Sequence, residues 1–443
     1  MKRGPLSLER GFVLLSAVTV LFLAVPRVLA AEKLSLKDCV RRAVLYNNTL
    51  RSYASERRAV AMEVKKALSP FYPTFSFSTL FERSDWEDLP RNDHATIKFK
   101  ARYNLFRGGG DWALLKTKKH ELEASGFDFL EQGLDIVATV EGTYFAILSL
   151  KNQLKVLKKS VDAALLHETV AKKRVEAGLA PLSDELRAKV DLANARVDLV
   201  QAQREMKTLI HTLAVLMGVP PTEAVDLEKE HMVKEAGKRT LQELFELAKR
   251  NRPVLKSYQQ QVQKLAWEEK SLKAEFFPVL DAYAETGEEG PDYFPDKEYW
   301  TMGLELRYPF FSGFSTKYAV ARTRSKLEAK RWSYRQKILE VQKEIADAYE
   351  QLKTDERVIE AQETLLKSAL ENLKVAQRRY EVGVGSIVEL TDARVAATKA
   401  AIGLENARLT VVGDEIELKR VTGWFVPVIK EIEEKKDVAK EKP

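Results

Sequence analysis

A single cysteine, Cys39, stands in 443 residues, which excludes an internal disulfide framework; a chain of this length buries enough surface without one. Histidine is nearly as scarce. His94, His120, His167, His211 and His231 lie far apart, with none of the short spacings that gather ligands around a metal or seat a general base. No metal centre, cofactor or catalytic site is therefore expected, and the chain does not read as an enzyme. Charge of one sign is lacking too: 72 Lys and Arg stand against 65 Asp and Glu, a formal +7, too mixed for a nucleic-acid partner. After residue 30 no apolar run reaches the ~20 residues of a membrane helix. Proline is absent from Asp111 to Glu176, which leaves that stretch free to form one uninterrupted helix.

The one long apolar run lies at the start. Lys2, Arg3 and Arg10 precede Gly11 to Val25, and Val28-Leu29-Ala30 supplies a small-residue stop. This pattern predicts a secretory signal peptide over residues 1–30, because the run is shorter than the ~20 residues of a span. Its removal takes away Lys2, Arg3, Arg10 and Arg27 against Glu9, so the charge falls from +7 to +4. Cys39 follows Lys37-Asp38, without the small and apolar residues of a lipid-attachment site.

What the remainder contains is a copy of itself. Tyr103-Asn104-Leu105-Phe106-Arg107-Gly108 recurs as Tyr308-Pro309-Phe310-Phe311-Ser312-Gly313, a register of 205 residues. The same offset relates Pro73 to Pro278, Tyr144 to Tyr349, Gly178 to Gly383 and Gly218 to Gly423. So long a period marks a tandem duplication of one large unit, not a solenoid of ~20–50-residue repeats. The expected organisation is a first repeat over 31–218, a linker over 219–239, a second repeat over 240–423 and a charged, partly disordered tail over 424–443.

Each repeat carries a β-hairpin. After a helix over Leu36 to Leu68 capped by Ser35, Phe75, Phe77 and Phe81 alternate with polar residues. In the next strand Ile97, Phe99, Ala101, Tyr103 and Leu105 lie opposite Lys98, Lys100, Arg102 and Asn104, with a polar loop from Arg83 to Asp93 between them. The second repeat keeps the parity with Met302, Leu304, Leu306 and Tyr308. Such alternation fits an antiparallel sheet with one wet face, or a membrane barrel with apolar residues toward lipid. Four strands are fewer than the ~8 of the smallest barrels, so a barrel would have to be shared between chains. Gly108-Gly109-Gly110 lacks the Gly-Lys-Ser/Thr of a phosphate loop and sits where strand becomes helix, so Gly108 and Gly313 read as strand–helix hinges.

The helices that follow are very long. Ile338, Val341, Ile345, Ala348, Leu352, Asp355, Ile359, Gln362 and Leu366 alternate steps of three and four, the seam of a left-handed coiled coil. From Asp111 to Glu176 the rise amounts to about 95–100 Å. Gly178 and Gly383 end these helices, and Ser183 and Ser386 are candidate caps of helices that return over half the length.

At these hinges and turns the chain resembles the TolC-like outer membrane factor family, over essentially the whole mature sequence. The resemblance rests on the paired hinges at Tyr103 and Tyr308, and on two turns of the pattern Arg-x3-Gly-x5-Asp/Glu-x3-Ala: Arg174, Gly178, Asp184, Ala188 and Arg379, Gly383, Glu389, Ala393. The fold it implies is mainly α with a small β part: a long antiparallel α-helical coiled-coil tunnel continuous with a transmembrane β-barrel shared by a homotrimer, four strands per chain. The function it implies is an outer-membrane exit duct for efflux or type I secretion, joined by a periplasmic adaptor to an inner-membrane transporter. Phe75, Phe77, Ile97, Phe99, Leu304 and Leu306 would face outer-membrane lipid. Arg174, Gly178, Leu179, Arg379, Gly383 and Val384 would form the adaptor-docking turns. Asp184, Tyr380, Glu389 and Asp392 would form the gate, although Gly385 stands where some relatives carry a basic residue. The competing reading is a periplasmic coiled-coil scaffold that never enters a membrane, against which the aromatic strand faces argue.

Overall fold

The computed structural model describes residues 33–86, 89–222, 225–230, 235–291 and 295–440. The expected signal peptide and His231 lie outside the described residues. The first repeat runs α1 (Leu36–Tyr46), α2 (Asn48–Lys66), β1 (Thr74–Trp86), β2 (Leu89–Arg107), α3 (Gly110–Glu176) and α4 (Leu182–Leu216). The second runs α5 (Leu241–Asn251), α6 (Pro253–Lys273), β3 (Val279–Gly290), β4 (Lys297–Arg307), α7 (Ser315–Glu381) and α8 (Ile387–Val421), and α9 (Val426–Lys440) follows. Apart from β2 and β4, each element of the second repeat begins 205 residues after its counterpart.

α3 and α7 are each 67 residues long, about 100 Å, while α4 and α8 have 35. α3 packs on α4 and α8 toward one end and on α2 and α6 toward the other; α7 packs on α8 and α6 in the same way. Two short helices stacked end to end thus match one long one. The hairpins stand at one end of the bundle and the helix turns at the other.

All four main helix stops use one geometry. Gly178, Gly218, Gly383 and Gly423 have positive φ, the left-handed conformation that a side chain disfavours. Around Gly178 its own N–H bonds the Val175 carbonyl, and the N–H of Leu179 bonds that of Arg174. Gly383 and Val384 repeat this with Tyr380 and Arg379. This six-to-one and five-to-two pairing is the Schellman stop.

Four expectations need correction. The helix over Leu36 to Leu68 breaks at Asn47, whose Oδ1 accepts from the N–H groups of Thr49 and Leu50 while Nδ2 donates to the Leu216 carbonyl. The copy breaks at Arg252, ahead of Pro253, so Pro253 was the legible signal. The polar stretch from Arg83 to Asp93 is not all loop: β1 continues to Trp86 and β2 begins at Leu89, because ladder hydrogen bonds do not require apolar side chains. Ser386 caps α8 through the Glu389 N–H, but α4 begins after Pro181 and Ser183 caps nothing. The tail beyond Gly423 forms α9, held by Phe425, Val426 and the fully buried Ile429.

Each repeat has its own core. Val40, Leu50, Leu134, Tyr144, Leu213 and Ile429 belong to the first, and Leu244, Leu255, Ile345, Leu352 and Leu418 to the second.

Candidate functional site

The four strands form one antiparallel sheet in the order β1-β2-β3-β4. Phe77, Phe99, Thr286 and Trp300 stand in one row across it, and Phe75, Ala101, Ala284 and Met302 in the next. Leu304 and Leu306 continue this face toward the helices, opposite Ala282 and Leu280. A bulge between Asn104 and Phe106 sets Phe106, not Leu105, against Leu280. The face is bare: Phe75 is 80% exposed and Trp300 73%. Ile97 has the same parity but is half-buried, and its row holds Glu288 and Glu298, so the apolar band ends there. From Leu306 to Trp300 the band rises about 20 Å, close to the ~25 Å of a membrane barrel. Exposed Tyr72, Phe277, Tyr308 and Phe310 mark its lower rim.

The opposite face is an ion-pair lattice. Lys100 meets Glu285 at 3.2 Å, and Arg102 reaches Asp281 at 3.7 Å and Glu305 at 3.2 Å, tying three strands. Charged groups on that side need water, whereas no charged group lies in the apolar band of the first side. One described helix, α3, has a window apolar enough for a span, but 61% of that window is buried, which marks a core helix.

At the strand–helix hinges the backbone turns left-handed at Gly108, Gly109 and Gly313, and also at Phe314. A Cβ on Gly108 would lie 2.7 Å from the Ala274 carbonyl oxygen, while Gly313 faces open space.

At the other end, Leu179 and Val384 are 73% and 68% exposed. In a Schellman stop this position usually packs on the residue five before it, but here those residues are Arg174 and Arg379. Arg174 lies over the buried Tyr380 ring at 5.0 Å and donates to the Tyr380 carbonyl at 3.4 Å. Arg379 pairs with Glu389 at 3.2 Å. Both guanidinium groups are thus engaged inside the chain, and the apolar side chains, with Leu182 and Val382 beside them, form the free tip. Glu389 and Asp392 are exposed and share one face of α8. Asp184 lies in the first turn of α4; among the described residues it makes no hydrogen bond to Tyr380. Gly385 is closely packed: a Cβ there would stand 2.9 Å from that of Arg379.

Sequence reasoning missed a buried tie above this tip. Arg394 on α8 pairs with Asp191 on α4 and donates to the carbonyl and hydroxyl of Ser160 on α3. An arginine among Ala393, Ala397 and Ala400 on a buried stripe was the available signal. Burial, with the Arg394 charge beside it, holds nearby His167 below the usual imidazole range.

A second polar feature lies higher. Burial and the facing Asp355 carboxyl push Asp414 up to about 6 from 3.8. Gln351 donates to Asp355, while Asp414 Oδ2 is buried without a partner. Their counterparts one repeat earlier, Leu150 and Leu209, share an apolar cluster. A carboxyl whose folded pKa is raised adds stability below its unfolded value and loses it as pH rises through the folded one. The contribution of this pair to thermal stability should therefore fall as pH rises from about 4 through about 6. Glu141, pushed up to about 7 by burial, acts over the same range, so the D355L/D414L double variant should lose less stability than the wild type from pH 4 to 7, and an equal loss in both would remove the pair from this role.

Residues 40–219 and 244–424 match the family model described as outer membrane efflux protein. Protein CyaE of Bordetella pertussis is 24% identical over 373 residues, covering 82% of this chain and 78% of that protein. TtgC of Pseudomonas putida, a probable efflux pump outer membrane protein, is 22% identical over 66% of this chain and 61% of its own length. Among solved structures, the outer membrane protein VceC of Vibrio cholerae superposes with a TM-score of 0.76 at 17% identity, covering 88% of this chain and 96% of that one.

Proposed function

This chain belongs to the outer membrane efflux protein family, and from that membership we propose that three copies form a passive outer-membrane exit duct, fed by an inner-membrane transporter through a periplasmic adaptor. The observation that carries the reading is the sheet. It has one bare apolar face, one ion-paired face and two edges, β1 and β4, with no strand beside them among the described residues. Unpaired strand edges cannot persist in lipid, where no water satisfies their N–H and carbonyl groups. Three sheets joined edge to edge close a barrel of about twelve strands and satisfy every edge. The apolar face then meets lipid, the charged face lines the lumen, and the helices extend it as a tunnel into the periplasm.

The exposed tip around Leu179 and Val384 is where the adaptor docks. Threefold assembly gathers Glu389 and Asp392 around one axis, a ring of like charge that favours cations. Arg174 on Tyr380 ties the two helix pairs near that ring, and Asp184 joins the gate from the first turn of α4.

Planar-bilayer recording of the purified protein tests the reading. Ion conductance is expected, with block by multivalent cations that weakens in the E389Q/D392N variant. Replacing Arg174 with Ala should raise the conductance of a single channel. A protein that stays out of the outer membrane and conducts nothing would favour the coiled-coil scaffold instead.

A further inference from the structure

Just below the hinge of the first repeat the chain gathers hydrogen-bond donors and no acceptor. Trp112, in the first turn of α3, meets Trp267 near the end of α6 edge to face, with ring centroids 5.0 Å apart. Lys116 lies over the Trp112 ring at 5.1 Å and Lys270 over the Trp267 ring at 3.7 Å, each an ammonium on an aromatic face. The acids near them are engaged elsewhere: Asp111 with Asn104 and Arg107, Glu121 with Lys118 and Lys264, Glu269 with Lys273. Among the described residues neither ammonium has a carboxylate partner and neither indole N–H has an acceptor. Two ammonium groups and two indole N–H groups therefore stand together with only donors to offer.

Level and side decide what such a cluster meets. Trp112 and Lys116 follow Gly108 by four and eight residues, about 6 and 12 Å along a helix. Lys270 precedes Ala274, which crowds Gly108, by four. The cluster thus lies just under the apolar band and its rim, in the polar layer that flanks the ~30 Å hydrocarbon core of a bilayer. Trp112 shares a heptad column with Gly133, which Ile429 of α9 covers. The side that carries α9 is the outside of the tunnel when the long helices enclose a lumen. Phe276 and Phe277, 50% and 53% exposed, lead from α6 to the bare face of the sheet.

We propose that this cluster binds the phosphate of an anionic glycerophospholipid, of the phosphatidylglycerol class, in the periplasmic leaflet, with the acyl chains running past Phe277 onto the apolar band. The inference rests on the channel reading, which sets the cluster at headgroup level, and goes further by assigning a lipid site. A phosphodiester supplies the acceptor oxygens that the cluster lacks and a charge for its lysines. A zwitterionic headgroup would bring its own ammonium beside Lys116 and Lys270, and like charges oppose that.

The second repeat does not copy the site. The counterparts of Trp112, Lys116, Trp267 and Lys270 are Lys317, Ala321, Met62 and Lys65. One ammonium on a ring remains there, Lys317 over Phe314 at 5.6 Å, but no indole N–H. An aromatic belt serves any bilayer interface and needs only rings, so the paired indoles mark one site per chain.

Native mass spectrometry of the full-length protein tests this, with micelles doped equally with phosphatidylglycerol and phosphatidylethanolamine. The wild type should retain one phosphatidylglycerol per chain in preference to phosphatidylethanolamine. In K116Q/K270Q that preference should fall about 25-fold, about fivefold for each lysine. W112F/W267F keeps the rings and should also lose the preferred lipid, while K65Q/K317Q, at the same level, should keep it. Equal retention of both lipids by the wild type, or an equal loss in K65Q/K317Q, would overturn the site. Displacement of the lipid by millimolar inorganic phosphate would overturn it too, in favour of a free-anion site. A protein that conducts in planar bilayers without the preference would lose the lipid site alone. One that never enters a bilayer would lose the site together with the channel reading beneath it.

Discussion

Replacing Glu415 with alanine is expected to destabilise the fold by about 2–4 kcal/mol, because the loss leaves one buried and two part-buried backbone N–H groups without their acceptor. Glu415 is fully buried on α8. Its carboxylate accepts from the N–H groups of Glu235 and Ala236 at 2.7 Å and of Gly237 at 3.0 Å, which pins the linker between the repeats. The site is closed around it, since a Cβ on Gly237 would lie 2.6 Å from Leu352. Its counterpart Ile210 packs on an apolar cluster instead, so the carboxylate serves the linker rather than the repeat. Glutamine retains one acceptor oxygen and should lose about half as much. Thermal unfolding in detergent and amide exchange at residues 235–237 would measure this. Wild-type protection in the alanine variant would show that the linker is held by other contacts.

An arginine at Phe99 should be worse for assembly than for folding. The Phe99 ring lies 4.9 Å from that of Phe77, inside the apolar band and 61% exposed. A cation there, facing lipid in the Trp300 row at the upper end of the band, costs between the ~0–1 kcal/mol of an interface and the ~2–4 kcal/mol of the midplane per copy, and a trimer would carry three. The helical bundle shares none of those contacts and should fold normally. The expected result is loss of trimer from the outer-membrane fraction, with helical content kept. Lys98, one residue away and on the other face, should tolerate glutamine without loss of trimer. Equal yields of F99R and wild-type trimer would show that the apolar face does not meet lipid.

The sequence alone determined what is local or repeated in this protein. Strand parity at Phe75, Phe99 and Leu304 follows from a period of two, and the long helices follow from uninterrupted three–four spacing. The turns follow from glycines at positions that require positive φ, and the duplication from one register kept across the chain. Each of these needs only neighbours within a few residues, or a copy to compare with. Tertiary structure decided the pairings that join residues far apart in the chain. Arg174, legible as an exposed turn residue, is drawn onto the buried Tyr380, while Arg379 stays at the surface and pairs with Glu389. Arg394 finds Asp191 and Ser160, and Glu415 finds a linker turn 178 to 180 residues away. The tail became a helix because Ile429 found an apolar seat against Gly133 on α3. The physical reason is common to all of them. A charged or apolar side chain on a helix has the same local pattern whether it meets water or a partner, and only packing fixes which.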